Sequence, residues 1–250
     1  REYSQTDDAS LIDWKASVRT NKILVREFTE IQTLNVMFLF DVSNSMMLGT
    51  VGKRKVDFAS EVIATLSYSI LKSKGNVKLA LFSNSLRKFI ISINDITQFY
   101  QVRETLTDEA LIGGTASLES ASRMISQHFN RGTLIILVSD FLNLGNNWKE
   151  QIKSLGSRVN VIGIMIRDPI DRSLPKGVSK VFIEDTAAGK KFLFNVHKYK
   201  EEYERKSKMQ EIELKNILES VKGDFLLLDT SEKYLDKLIK FLERRKRKFH

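Results

Sequence analysis

The sequence predicts an α/β fold: a doubly wound, mostly parallel sheet with helices on both faces. Two observations carry this. Short, near-continuous apolar runs at residues 36–40, 134–138 and 159–166 read as strands buried on both faces. Between them lie stretches of helical periodicity, the alternation that builds parallel sheets. At 250 residues the chain can bury a sizeable core, and no linker or internal repeat divides it. Residues 1–30 read as a lead-in segment packed on the domain formed by residues 31–250.

In the lead-in, Asp13 is placed to cap a short helix, DWKASVR, with Trp14 and Val18 four apart on one side. Trp14 and Tyr3 are expected to pack against the sheet, and residues 23–28 to run extended. The strand at 36–40 ends in Asp41. Val56, Ala59, Ile63, Leu66 and Ile70 then recur at spacings of three and four, an amphipathic helix closed near Gly75. Residues 77–82 and 86–93 read as a strand hairpin at one side of the sheet, with Ile91 and Ile93 on one face. Residues 97–107 read as helix. Leu118, Ala121, Ile125 and Phe129 mark the helix that leads into the strand at 134–138.

Further on, a loop at 141–147 runs into a short helix beginning at Trp148. After the strand at 159–166, Arg167-Asp168-Pro169 breaks into a loop that passes Pro175. Residues 181–184 and 192–196, joined by a turn containing Gly189, read as a small β-hairpin insertion near 180–196. Residues 199–221 form a long charged helix whose sparse apolar stripe suggests exposure at one side. The last strand is 225–228. Ser231 is expected to cap a final helix, 231–246, packed through Leu235, Leu238, Ile239 and Leu242.

Composition excludes several classes. There is no cysteine, so there are no disulfides, thiolate metal sites or thiol nucleophiles, and a cytoplasmic setting is expected. No apolar run approaches the roughly 20 residues of a membrane-spanning helix, and no secretory leader is visible. His128, His197 and His250 stand far apart and read as packed or solvated. No GxxxxGK[ST] phosphate loop occurs. The net charge is +9, much of it spread as Lys over helices as on a solvated face; its concentrated part is Arg244, Arg245, Lys246, Arg247 and Lys248. That cluster could meet a polyanion or a membrane surface. Without an aromatic-interleaved basic strand, specific nucleic-acid binding is not expected.

The unusual polar groups follow the strands. Asp41, Ser43 and Ser45 leave the first strand, Thr115 follows a Gly-Gly pair, and Asp140 leaves the strand at 134–138. Asp, Ser and Asn cap turns by themselves. However, carboxylate and hydroxyl oxygens gathered at strand ends also suit a hard divalent cation. The DxSxS motif, the later Thr and the second Asp resemble the metal-ion-dependent adhesion site of von Willebrand factor A (VWA) domains, a VWA/Rossmann-like fold. Arg1, Tyr3, Asp7, Asp8, Asp13, Trp14, Arg19, Arg26 and Glu27 are similar to a bacterial subfamily of these domains, departing from it at Thr6, Ser10 and Leu11. Its members have no settled biochemical function and are commonly paired with MoxR-type AAA+ ATPases.

The resemblance implies a non-enzymatic protein-interaction module. It would hold Mg²⁺ (or Mn²⁺ or Ca²⁺) on Asp41, Ser43, Ser45, Thr115 and Asp140, and recruit an Asp or Glu from a partner, a MoxR-type ATPase or its client. Phe141, Leu142 and Leu144 are then either packing under the loop or a hydrophobic rim for that partner. An alternative is a metal-dependent phosphohydrolase with Asp41 as nucleophile, although Ser43 stands where such enzymes usually place a second Asp. A second alternative is polyanion or membrane-surface binding through the basic C-terminus.

Overall fold

The computed structural model describes residues 2–4, 7–25, 33–125, 132–174, 180–185 and 190–248. The chain divides into two units, Arg1–Thr33 and Leu34–His250. In the first, Asp13 caps α1 (Trp14–Thr20) by accepting from the Ala16 N–H at 3.1 Å. Ser17, not Trp14, faces inward: its hydroxyl donates to the Asp13 carbonyl and accepts from the Leu24 N–H. Trp14 is 67% exposed and Val18 is exposed with it. Leu24 and Val25 each form one antiparallel bridge, to Glu2 and Ile12. Residues 26–28 lie outside the described residues.

The second unit holds six strands in one sheet: β1 (Asn35–Asp41), β2 (Asn76–Phe82), β3 (Leu86–Ile93), β4 (Thr133–Ser139), β5 (Asn160–Arg167) and β8 (Asp224–Asp229). Their order is β3-β2-β1-β4-β5-β8, and every pairing except β2 with β3 is parallel. This is the expected doubly wound α/β fold. A separate antiparallel pair, β6 (Lys180–Asp185) and β7 (Lys190–Asn195), is the expected hairpin. Its turn lies outside the described residues.

Strand alternation sorts the core into two layers. Val36, Phe38 and Phe40 of β1 face α2 (Lys55–Lys72), α3 (Phe99–Leu106) and α8 (Tyr234–Lys248). Met37 and Leu39 face α4 (Leu118–Ile125), α5 (Trp148–Gly156) and α7 (Val196–Ser220). The helical stripe read from the sequence, Val56 to Ile70, is buried throughout. Phe129 and His128 lie outside the described residues. No described helix is long and apolar enough to cross a membrane.

Four local readings change. Ile91 is exposed while Ile93 is buried, because Val77 pairs with Ile93 and Leu79 with Ile90. Three residue steps of β3 thus span two of β2, a bulge that reverses the alternation. Pro169 opens a short helix, α6 (Pro169–Arg172), rather than a loop. Asp168 accepts from the Ile170 N–H, and the Asp171 carboxylate accepts from the Asp168 N–H, a closed capping box. In α7, Leu214, Ile217 and Leu218 pack into the second core layer, so its C-terminal half is not an exposed helix.

The fourth concerns α8. Only Leu238 of the four expected packing residues is buried, with Phe241; Leu235, Ile239 and Leu242 are exposed. Polar contacts set the helix's rotation. The Tyr234 hydroxyl lies 2.9 Å from that of Thr65, and Arg245 pairs with Asp224. Ser231 does not cap the helix, but donates its N–H and hydroxyl to Asp229. Leu238→Ala is expected to cost about 2–5 kcal/mol by chemical denaturation, and Ile239→Ala less than about 1 kcal/mol. Equal losses would place both residues in the core and refute this rotation.

Candidate functional site

β1 sits between two parallel neighbours, with Asp41 level with Phe82 of β2, and Phe40 level with Val138 of β4. Successive connections leave β1 in opposite directions, so the carboxyl ends of β1 and β4 form the crevice where such sheets collect ligands. Ser139 and Asp140 therefore arrive beside Asp41.

Asp41 is fully buried. One of its oxygens accepts from the Ser43 N–H at 2.9 Å and the other from the Ser139 hydroxyl at 2.7 Å. The Asx turn folds the chain so that the Ser43 and Ser45 hydroxyls lie 3.2 Å apart. Ser45 Oγ donates to Asp140 Oδ1 at 3.1 Å, and the Leu142 N–H donates to the same oxygen at 2.9 Å.

The third segment is clipped on by backbone. Gly113 N–H donates to the Val42 carbonyl at 2.7 Å, and Asn44 N–H to the Gly114 carbonyl at 2.8 Å. Gly114 N–H donates in turn to Asn44 Oδ1 at 3.0 Å. Gly113 and Gly114 have φ of +121° and +90°, conformations that favour glycine. The loop brings Thr115 to a cavity of about 30 Å³, lined also by Ser43, Asn44, Ser45, Ala116, Leu142 and Asn143. That is room for an occupant the size of a water or an ion.

Burial, and then the neighbouring Asp140 carboxylate, push the Asp41 carboxyl up to about 6, against the hydrogen bonds from Ser139 and Ser43. Asp140 is balanced differently: its Oδ2 accepts from Lys55 Nζ at 2.7 Å, and that ammonium also donates to Asp171 at 2.8 Å. Among the described residues no group of three or more His, Asp or Glu is arranged to hold a metal. A cation here would therefore depend on the hydroxyls of Ser43, Ser45 and Thr115, with Asp41 and Asp140 supplying charge. Hard oxygen donors around an ion-sized space, beside crowded carboxylates, are a chemical fit for Mg²⁺ or Mn²⁺.

Sequence reasoning missed Lys55, Asn44, Ser139, Asp168 and Asp171. A signal for Lys55 existed, since it lies four residues before Ala59 on the buried stripe. It also occupies a first helical turn, where a cation opposes the helix dipole. Asp168 anchors the loop after Ser45, accepting from the Thr50 N–H at 2.8 Å and from the Thr50 and Thr230 hydroxyls. Burial pushes Asp168 upward, but these bonds outweigh it and hold the carboxyl below its ordinary range.

Of the two readings of the loop after Asp140, packing under the loop describes Phe141 and Leu144. Phe141 and Leu144 are each 2% exposed and belong to the core. Positive φ at Phe141 and Asn143 folds the loop inward, and Phe141 meets the Trp148 ring edge-on. Leu142 alone of the three lines the cavity. The exposed apolar residues following the serines are Met47, Leu48 and Val51. The basic cluster is also divided: Arg245 is committed to Asp224, Arg244 lies over the Phe241 ring, and Lys246 and Arg247 are exposed.

Residues 1–213 match the family described as "Protein of unknown function DUF58". The chain belongs to that family. An uncharacterized protein of Mycobacterium bovis is 25% identical over 252 residues, which cover 99% of this chain and 78% of that protein. Among solved structures, the conserved hypothetical protein BatB of Bacteroides thetaiotaomicron aligns with a TM-score of 0.56 at 16% identity, over 87% of this chain and 100% of that one. An aerotolerance-related membrane protein of Bacteroides fragilis gives 0.56 at 18% identity, over 84% and 99%. These two likenesses support the fold of this DUF58 chain and nothing finer.

Asp41 gives a signed pH effect. Its folded value lies above the ordinary 3.8, so its contribution to stability is present below about pH 4 and is lost as pH rises through about 6. Asp41→Asn removes that loss. In EDTA, the stability of the variant relative to wild type should shift in the variant's favour by on the order of 3 kcal/mol between pH 4 and 7. Urea titrations at several pH values that give a constant difference would contradict the assignment.

Proposed function

We propose that this DUF58 chain is a non-enzymatic protein-interaction module that binds Mg²⁺ or Mn²⁺ at the carboxyl edge of its sheet and recruits an acidic side chain of a partner. The observation that carries the reading is the meeting of Ser43, Ser45 and Thr115 around one cavity beside Asp140. A bound ion would supply an electrophilic coordination position, suited to a carboxylate from outside. Ser43, Ser45 and Thr115 would hold it, with Asp41 and Asp140 as the charged groups around it. The resemblance to VWA domains with an adhesion-type metal site supports the same role, and suggests a MoxR-type AAA+ ATPase or its client as the partner.

A phosphohydrolase reading is less well supported. Both oxygens of Asp41 are engaged as acceptors, from Ser43 N–H and Ser139 Oγ, and no further carboxylate lies two residues on. Leu142 offers apolar contact at the cavity itself.

Isothermal titration of the chelator-treated protein with Mn²⁺ and Mg²⁺ should give one site per chain. Ser43→Ala/Ser45→Ala should weaken it on the order of tenfold or more, since two hydroxyl ligands are lost. Wild-type protein that takes up neither ion would end this reading. Turnover of an aryl phosphate that disappears in Asp41→Ala would replace it with the hydrolase.

A further inference from the structure

Lys55 is fully buried, yet it carries a charge that neither the core nor the cavity lining requires. Burying an ammonium in a first helical turn, against the helix dipole, is unfavourable unless good partners face it. Its partners are Asp140 Oδ2 at 2.7 Å and Asp171 Oδ2 at 2.8 Å. Asp171 is itself held by the Asp168 N–H at 3.0 Å, within the capping box of α6. At its other end the Lys55 N–H donates to the Leu48 carbonyl at 2.9 Å. The ammonium is thus positioned by elements outside the cavity.

The two oxygens of Asp140 are consequently divided. Oδ1 faces Ser45 and the Leu142 N–H, while Oδ2 is committed to Lys55. Asp140 and Asp171 thus share a single ammonium. Resting on the function proposed above, we infer that Lys55 is a positioning residue that withholds Asp140 from the bound cation. By keeping Oδ2 and part of the carboxylate's charge, it leaves the ion an open, electron-poor position for the partner's acid. Without the ammonium, Asp140 would turn onto the ion as a full anionic ligand and fill that position from within.

The test uses the full chain with Mn²⁺ as probe, as wild type, Lys55→Met, Asp171→Asn and the double variant. Affinity is read by electron paramagnetic resonance, and the waters remaining on the ion by water-proton relaxation. Lys55→Met should bind Mn²⁺ on the order of tenfold tighter, with fewer waters on the ion. Asp171→Asn leaves the ammonium to Asp140 alone, and should bind severalfold more weakly. Both substitutions break a buried ion pair, so a purely structural role would weaken binding in both. If Lys55→Met does not fold, the double variant should still bind more tightly than Asp171→Asn. Unchanged affinity across the series, or weakening in every variant, overturns the inference. Failure of wild type to bind Mn²⁺ overturns instead the function on which it rests.

Discussion

Two carboxylates sharing a dry strand edge are the constraint around which this molecule is arranged. Parallel register between β1 and β4 carries Asp41 and Asp140 to adjacent positions, both fully buried. Water cannot screen them there, so each charge must be met by a fixed group. Asp41 is met by donors alone, Ser43 N–H and Ser139 Oγ. Asp140 is met by a hydroxyl, a backbone N–H and an ammonium. The asymmetry leaves Asp41 as the carboxyl pushed upward by burial and by its neighbour.

The neighbouring strand ends extend the same arrangement. Asp168 and Asp171 follow β5, and Asp229 closes β8. Asp168 spends its oxygens on Thr50, Ile170 and Thr230, tying the loop after Ser45 to the far side of the sheet. Asp229 does the same for the turn before α8. The carboxyl edge is therefore a set of acidic anchors for loops, one of which is connected through Lys55 to the candidate site. Buried ion pairs of this kind contribute little net stability but hold groups in one arrangement.

The buried strands and the helical stripe of α2 were legible because each follows from local pattern, apolar runs and a 3.6-residue period, and polar residues at strand ends marked where Ser43, Ser45, Thr115 and Asp140 come close. Where the outcome depended on a distant partner, the pattern misled. Leu235, Ile239 and Leu242 form a plausible packing stripe on α8, but Arg245 with Asp224 and Tyr234 with Thr65 turn another side inward. For Phe141 and Leu144 the sequence left packing and rim open, and positive φ in their loop decides for packing. Lys55 could not be paired from local pattern, because its carboxylates lie 85 and 116 residues away in sequence. Ile91 was misplaced by one inserted residue, which periodicity cannot reveal.

That inserted residue in β3 has an effect beyond orientation. Among the described strands of that sheet, β3 is terminal on one side and the only antiparallel member. Its outward positions include Arg87 and Lys88. An interrupted ladder with an accentuated local twist and protruding cations is a poor template for another chain's strand. Growth of the sheet by lateral addition is discouraged on that border.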